Sequence, residues 1–227
     1  HLGRRRQRQM CIRDSSGTVP LTVQLDASAS FDDMTITKYE WIIGDIYQLN
    51  ENGYPTHQLF IGKWPATGGD DIQSLPEGIL NSVPSEGAVF DNRLWFVAED
   101  SDGNFDWNSV FNSGYYEYAF SHIYIYSSQD QIVKVKFGSD DAATFWLKSA
   151  GSDVYSKVFS KSKIEGIRID QYSFDLELKA GWNGLLIRIA QGYGGWGLAY
   201  RFTDQSGNPL RLYYTLDKVM EGEKRFL

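Results

Sequence analysis

Between residues 131 and 216 apolar and polar side chains alternate with a period of two, the repeat of a strand with one face buried. Val133, Val135 and Phe137 alternate with Lys134 and Lys136; Ala143, Phe145 and Leu147 alternate with Thr144, Trp146 and Lys148. The pattern recurs at Phe174–Leu178, Leu185–Ile189, Leu198–Phe202 and Leu210–Leu216. Turn-forming Gly, Asp, Asn and Ser separate these runs, as a meander between two facing sheets requires. Adding Leu94–Ala98 and Tyr116–Tyr126 brings the runs to eight. The expected fold is all-β: a two-sheet antiparallel β-sandwich, jelly-roll-like, over residues 88–217, with 218–227 as a C-terminal tail.

Upstream the pattern changes twice. In residues 15–45, Leu21, Val23 and Leu25 form one alternating run and Tyr39, Trp41 and Ile43 another, joined by a Ser-, Ala- and Asp-rich turn. Residues 46–87 contain four of the six prolines and little periodicity, apart from a short strand expected over Leu59–Trp64. They read as a connector or as the N-terminal edge of the sandwich. Asp71–Leu80 is expected as a short helix or a loop.

Composition adds an aromatic content of 15%, which suits pleated surfaces and, where exposed, ligand platforms. Net charge is -7, but residues 1–14 hold five arginines against one aspartate, so the remainder carries -11. An acidic body of this kind repels a phosphate backbone, so no nucleic-acid partner is expected. Residues 1–14, HLGRRRQRQMCIRD, resemble read-through of a sequencing adapter; they are expected to be a disordered, non-native tail and are set aside. Cys11, the single cysteine, lies there, so the body has no disulfide and no thiolate chemistry. No run of 18 apolar residues occurs, and membrane insertion is not expected.

Two stretches resemble known families. Gly17, Pro20, Leu21 and Val23, then Asp26-Ala27-Ser28-Ala29-Ser30, then Tyr39, Trp41, Gly44 and Asp45 resemble the first half of a polycystic-kidney-disease (PKD)-type immunoglobulin-like domain. The closing strands of that family do not follow, which implies a partial immunoglobulin-like segment over about 16–45. From about 90 to 217 the chain is similar to PA14-like and galactose-binding-like accessory modules of secreted bacterial polysaccharide-active proteins. The motifs are Phe137-Gly138-Ser139-Asp140-Asp141 with Trp146-Leu147, Gly181-Trp182-Asn183 with Leu185-Leu186-Ile187, and Arg201-Phe202-Thr203-Asp204 with Gly207, Asn208 and Pro209. The chain departs from that pattern at Ala142, where the family has glycine, and at Lys148-Ser149-Ala150-Gly151 in place of Asn-Gly.

Three places carry candidate chemistry. Asp140 and Asp141 are adjacent carboxylates; in PA14-like relatives the corresponding pair helps to hold calcium and sugar, so the resemblance implies Ca²⁺ and carbohydrate there, against an Asx turn as the structural reading. Asp100, Asp102, Asn104 and Asp106 have the alternate spacing of calcium ligands, although Phe105 and Phe111 stand where a helical calcium hand needs Gly and Glu. The commoner use of such a stretch is a hairpin turn at Asp102-Gly103. The loop Gly192–Gly197 places Tyr193 and Trp196 among glycines: either a platform that stacks on the apolar face of a sugar, or a hairpin whose Trp196 closes the core. Trp182 and Asn183 are expected to plug and bond a turn, and His122 to be packed in a strand.

No serine nucleophile elbow, histidine metal box or dinucleotide loop is present, so no catalytic residue is assigned. The expected function is a non-catalytic carbohydrate- or cell-surface-polymer-binding module, extracellular or at the cell surface, linked to catalytic or surface domains of a parent polypeptide. The alternatives are a ligand-free spacer and a fragment of a glycoside hydrolase or lyase whose active site lies elsewhere.

Overall fold

The computed structural model describes residues 38–42, 45–112, 114–217 and 219–223. The immunoglobulin-like motifs of residues 15–45 therefore lie outside the described residues, except at 38–42 and Asp45, as do residues 1–14. The chain divides into a unit comprising His1–Trp41 and Met220–Leu227 and a larger unit, Ile42–Val219. Strand β1 (Lys38–Ile42) pairs with β16 (Val219–Glu223) in a two-stranded sheet.

The larger unit begins with β2 (Ile46–Gln48), β3 (His57–Pro65), β4 (Val89–Phe90), β5 (Arg93–Leu94), β6 (Phe96–Glu99) and β7 (Asn104–Asp106). One helical turn, α1 (Trp107–Phe111), follows. Then come β8 (Glu117–Ser127), β9 (Gln131–Asp140), β10 (Ala143–Lys148), β11 (Ser156–Lys161), β12 (Tyr172–Leu178), β13 (Gly181–Gln191), β14 (Gly197–Thr203) and β15 (Tyr213–Thr215). The larger sheet runs β11-β10-β13-β8-β15-β2, and β3, which also carries β6, shares the free edge of β8 with β15; the smaller sheet runs β12-β9-β14-β7. All registered pairs within both sheets are antiparallel. The protein is an all-β antiparallel sandwich.

The alternation read from the sequence places the core. Phe145 and Phe159 of the larger sheet meet Phe137 and Phe174 of the smaller one, with ring centroids 4.8–5.4 Å apart. At the other end of the sandwich Phe60 packs on Phe105 and Trp107. Edge-to-face and offset contacts of this kind add to the apolar burial that drives the sheets together.

The two outer faces differ. That of the smaller sheet is polar, with Lys134 and Asp175 bridging β9 and β12. That of the larger sheet is buried, and β8, β10 and β13 are almost continuously inaccessible. Residues 66–95 lie over it. Arg188 meets Asp71, the Tyr124 hydroxyl donates to the Pro84 carbonyl, and Trp95 packs edge-on to His122. Trp146, on the outer phase of its strand, is buried for this reason. Asp71–Leu80 forms no α-helix; a single 3-10 turn covers Ile79–Asn81. The run Leu210–Leu216 yields only the three-residue β15, because Asp204–Pro209 is held as a turn by Asp204 and a Thr203–Pro209 bridge.

Candidate functional site

Asp140 ends β9, Gly197 begins β14 and Asp106 ends β7. Gly197 is registered opposite both aspartates, so the two carboxylates flank a position without a side chain on one sheet face. Two strand spacings separate their backbones by about 10 Å. The notch between them is a pocket of about 190 Å³ whose lining includes Asn104, Asp106, Asn108, Asp140, Gly195 and Trp196. These residues come from the β7–α1 segment, the end of β9 and the β13–β14 loop.

Burial, followed by the neighbouring Asp141 carboxylate and a hydrogen bond to it, raises the Asp140 pKa to about 7. Asp140 therefore holds its proton to higher pH than an ordinary carboxyl group, and when protonated it offers a donor as well as acceptors. A Cβ at Gly195 would meet Asp140 Oδ2, so a larger residue there would displace this carboxyl group. Asn108 donates to the Gly194 carbonyl and keeps an unpartnered Oδ1, and the Trp196 indole N–H is also unpartnered. Both residues line the pocket.

Asp141, joined to Asp140 by a cis peptide bond, is 2% exposed and turned away from the pocket. Its Oδ1 accepts from Glu165 N and its Oδ2 from Gly192 N, each at 2.9 Å. The Ser139 hydroxyl donates to its carbonyl. Lys161 stands beside the pair, bonded to the Ser139 carbonyl and to Glu165.

The second acidic stretch is spent on backbone. Asp100 Oδ1 accepts from the N–H groups of Asp102, Gly103 and Asn104, and Asp102 Oδ1 from Asn104 N. Burial and the bond to Asp102 raise the Asp100 pKa, while that same bond lowers Asp102. Asp106 caps α1, with Oδ1 accepting from Asn108 N at 3.0 Å and Oδ2 from the Ser109 hydroxyl at 2.7 Å.

These placements correct one expectation, the open Trp196 platform, and bear on a second, calcium. Trp196 is 2% exposed, stacked 5.3 Å from Phe111 and tilted against Trp107, so its faces are not free for a sugar. Tyr193, 65% exposed, is the loop aromatic that remains available. Calcium takes six to eight oxygen ligands. Among the described residues no three His, Cys, Asp or Glu side chains gather around one point, both Asp141 oxygens serve N–H donors, and an ammonium lies alongside. As they stand, the side chains of neither acidic cluster offer a calcium ion a set of free carboxylate oxygens. Asp100, Asp102, Asn104 and Asp106 form a turn and a helix cap; only Asn104 and Asp106 of that set reach the pocket with Asp140.

Asn108, Gly195, Lys161 and Glu165 were missed in the sequence. Nothing in the spacing of Asn108 or Glu165 marks them, because the chain distance to Asp140 is closed only by sheet pairing. Gly195 was readable as a loop glycine, but not as the contact of a particular carboxyl group.

No protein-family model matches the chain, and no curated protein sequence matches it. Among solved structures, the epithelial adhesin 9 A domain from Candida glabrata, in complex with Galβ1-3GlcNAc, aligns over 75% of this chain and 91% of its own, at 9% identity and a TM-score of 0.40. A β-glucosidase from Kluyveromyces marxianus in complex with glucose aligns over 64% of this chain at 12% identity and a TM-score of 0.37. A GH31 α-xylosidase from Xanthomonas citri aligns over 82% at 9% identity and a TM-score of 0.36. The chain spans 16% of the β-glucosidase and 20% of the α-xylosidase. TM-scores this low carry neither fold nor function across. No helix among the described residues is long and apolar enough to cross a membrane.

Proposed function

We propose that this chain is a non-catalytic accessory module that binds a carbohydrate or cell-surface polymer through the loop end at Asp140. The observation that carries the reading is the pocket itself. Planar amide and carboxyl groups of Asn104, Asp106, Asn108 and Asp140 line a shallow notch closed by Gly195 and Trp196 of the loop that also carries the exposed Tyr193. Fixed polar groups that read hydroxyls, next to an aromatic face that accepts C–H groups, suit a saccharide. Asp140, whose pKa is raised by burial, donates to such a ligand when protonated and accepts from it when ionised.

A hydrolytic role is not supported by the same carboxylates. Asp106 has each oxygen bonded at the start of α1 and is not a free base to pair with Asp140. A weak site of this size serves targeting: attachment to a polymer raises the local concentration of whatever domain is linked to it. Such a role belongs to a secreted or surface protein.

The test is a screen of purified protein by affinity electrophoresis and calorimetry against plant, algal and bacterial cell-wall polysaccharides, with Asp140→Ala and Tyr193→Ala alongside. Retardation by at least one glycan, lost in both variants, is expected. Binding by none, or binding that both variants retain, refutes the assignment; the former outcome favours a ligand-free spacer.

A further inference from the structure

The acidic corner behind the pocket contains a cation of its own. Lys161 closes β11, and its side chain is 4% exposed. Its ammonium group donates to the Ser139 carbonyl at 3.3 Å and to Glu165 Oε1 at 3.0 Å, and it lies 5.0 Å from the centre of the Tyr172 ring. A carbonyl, a carboxylate and an aromatic face are three kinds of cation ligand gathered on one group. A buried ammonium survives only where paired charge offsets its lost hydration.

The pairing extends past the direct contacts. Burial lowers the Lys161 pKa, and the bond to Glu165 together with the charges of Glu165, Asp141 and Asp140, the last two following Ser139 in the chain, opposes that shift. Glu165 closes the network, because its backbone N–H donates to Asp141 Oδ1 while its carboxylate holds the ammonium. The other base at this corner is Lys163, whose ammonium lies over the same Tyr172 ring at 5.7 Å and whose field reaches Glu165.

We propose that Lys161 is the resident counter-cation of the Asp140–Asp141 corner, filling the electrostatic role that a divalent metal ion would otherwise take. Calcium then meets a physical obstacle at this pair. The ammonium already supplies positive charge at this corner, held by the Ser139 carbonyl and the Glu165 carboxylate, so a metal ion would compete with a cation built into the chain. Removing the ammonium leaves the Asp140, Asp141 and Glu165 carboxyl groups at one corner with Lys163 as the base near Glu165. That arrangement is destabilised most where the carboxyl groups are ionised.

Thermal unfolding of the full chain in calcium chloride and in chelator tests the proposal, and the two midpoints are expected to coincide. Lys161→Met is expected to melt several degrees lower near pH 8, with a smaller loss near pH 5, and calcium is expected to recover part of the loss in that variant only. Lys161→Arg, which keeps the charge, should retain most of the wild-type midpoint. A wild-type midpoint that rises with calcium or falls with chelator overturns the proposal. So does a Lys161→Met protein that melts with wild type at both pH values, or one whose loss no divalent cation recovers. If Lys161→Met does not accumulate folded, Lys161→Gln and the wild-type calcium comparison carry the test.

Discussion

Replacing Asp71 with asparagine should cost this module more stability than any other single-atom change in the layer that covers its larger sheet. The Asp71 and Arg188 side chains are 1% and 0% exposed. Arg188 Nη1 donates to the Asp71 carbonyl at 2.6 Å, Nη2 lies 3.2 Å from Oδ1, and the guanidinium sits 4.1 Å over the Tyr118 ring. The carboxylate also accepts from the backbone N–H groups of Thr67, Gln73 and Ser74 at 2.9 Å each. Burial pushes the Asp71 pKa up, but the bonds from Ser74, Thr67 and Gln73 outweigh it and hold the group well below the usual carboxylate range. The neutral amide of Asp71→Asn would leave a fully buried guanidinium without counter-charge, a change that typically costs about 3–5 kcal/mol. For a unit of this size that corresponds to a fall in Tm of about 6–20 °C. Urea unfolding followed by tryptophan fluorescence measures it, and the m-value should be unchanged because the folded surface is the same. Arg188→Met repeats the test from the other side. The double variant should lose less than the sum of the singles by about 2 kcal/mol or more, since neither charge is then left alone. A loss below about 1 kcal/mol for Asp71→Asn, or strict additivity, would refute the claim that this ion pair clamps residues 66–95 to the sheet.

Three further outcomes are expected. Asp140 binds a proton more tightly folded than unfolded, so its contribution to stability is complete below the ordinary carboxylate range and is lost as pH rises through about 7; Asp140→Asn should flatten that slope in melts between about pH 5 and pH 9. His122 has the opposite sign: burial and the Lys148 charge lower its pKa to about 3, so the unfolded chain takes up a proton below about 6.5 that the folded chain refuses. That linkage costs about 2 kcal/mol near pH 5, and His122→Gln, which keeps a partner for the Tyr155 hydroxyl, should remove it; an unchanged acid limb would show that His122 is not the group responsible. Tyr193→Ala should weaken glycan binding by about tenfold while leaving Tm within about 1 °C, since a surface ring gives up contact area with the ligand and not core packing; an equal loss of Tm would mean that the ring packs.

Much of the sandwich was legible because strand alternation is a local property. Val133–Phe137, Ala143–Leu147, Phe174–Leu178, Leu185–Ile189 and Leu198–Phe202 all lie in strands of the two sheets. What the alternation concealed was the covering layer. Thr144 and Arg188 occupy polar phases that alternation alone assigns to solvent, yet with Trp146, whose bulk on the outer phase suits packing under the connector, they are buried because residues 66–95 fold back over them. Asp140 and the Gly192–Gly197 loop were legible as a candidate end because glycines and acids mark turns. The fate of Trp196 was not: a tryptophan after two glycines reads the same whether it faces solvent or, as here, Phe111 and Trp107. Lys161 and Glu165 are neighbours of Asp141 only through the β10–β11 pairing and the loop after it, long-range contacts that no local pattern encodes.

The pairing of β2 with β15 bears on how the module is carried. Thr215 is registered with Ile46 and with Tyr124, so the chain comes into the sandwich and goes out of it on neighbouring strands beside the C-terminal part of β8. The loop at Gly192 meets the other end, where its carbonyl accepts from Tyr116 N just before β8 begins. From Glu117 to Ile125 a strand advances about 27 Å. Within the unit Ile42–Val219 the first and last strands therefore lie at the opposite end of β8 from the Gly192 loop, so the entry and exit of this unit and its pocket are separated by the length of one strand.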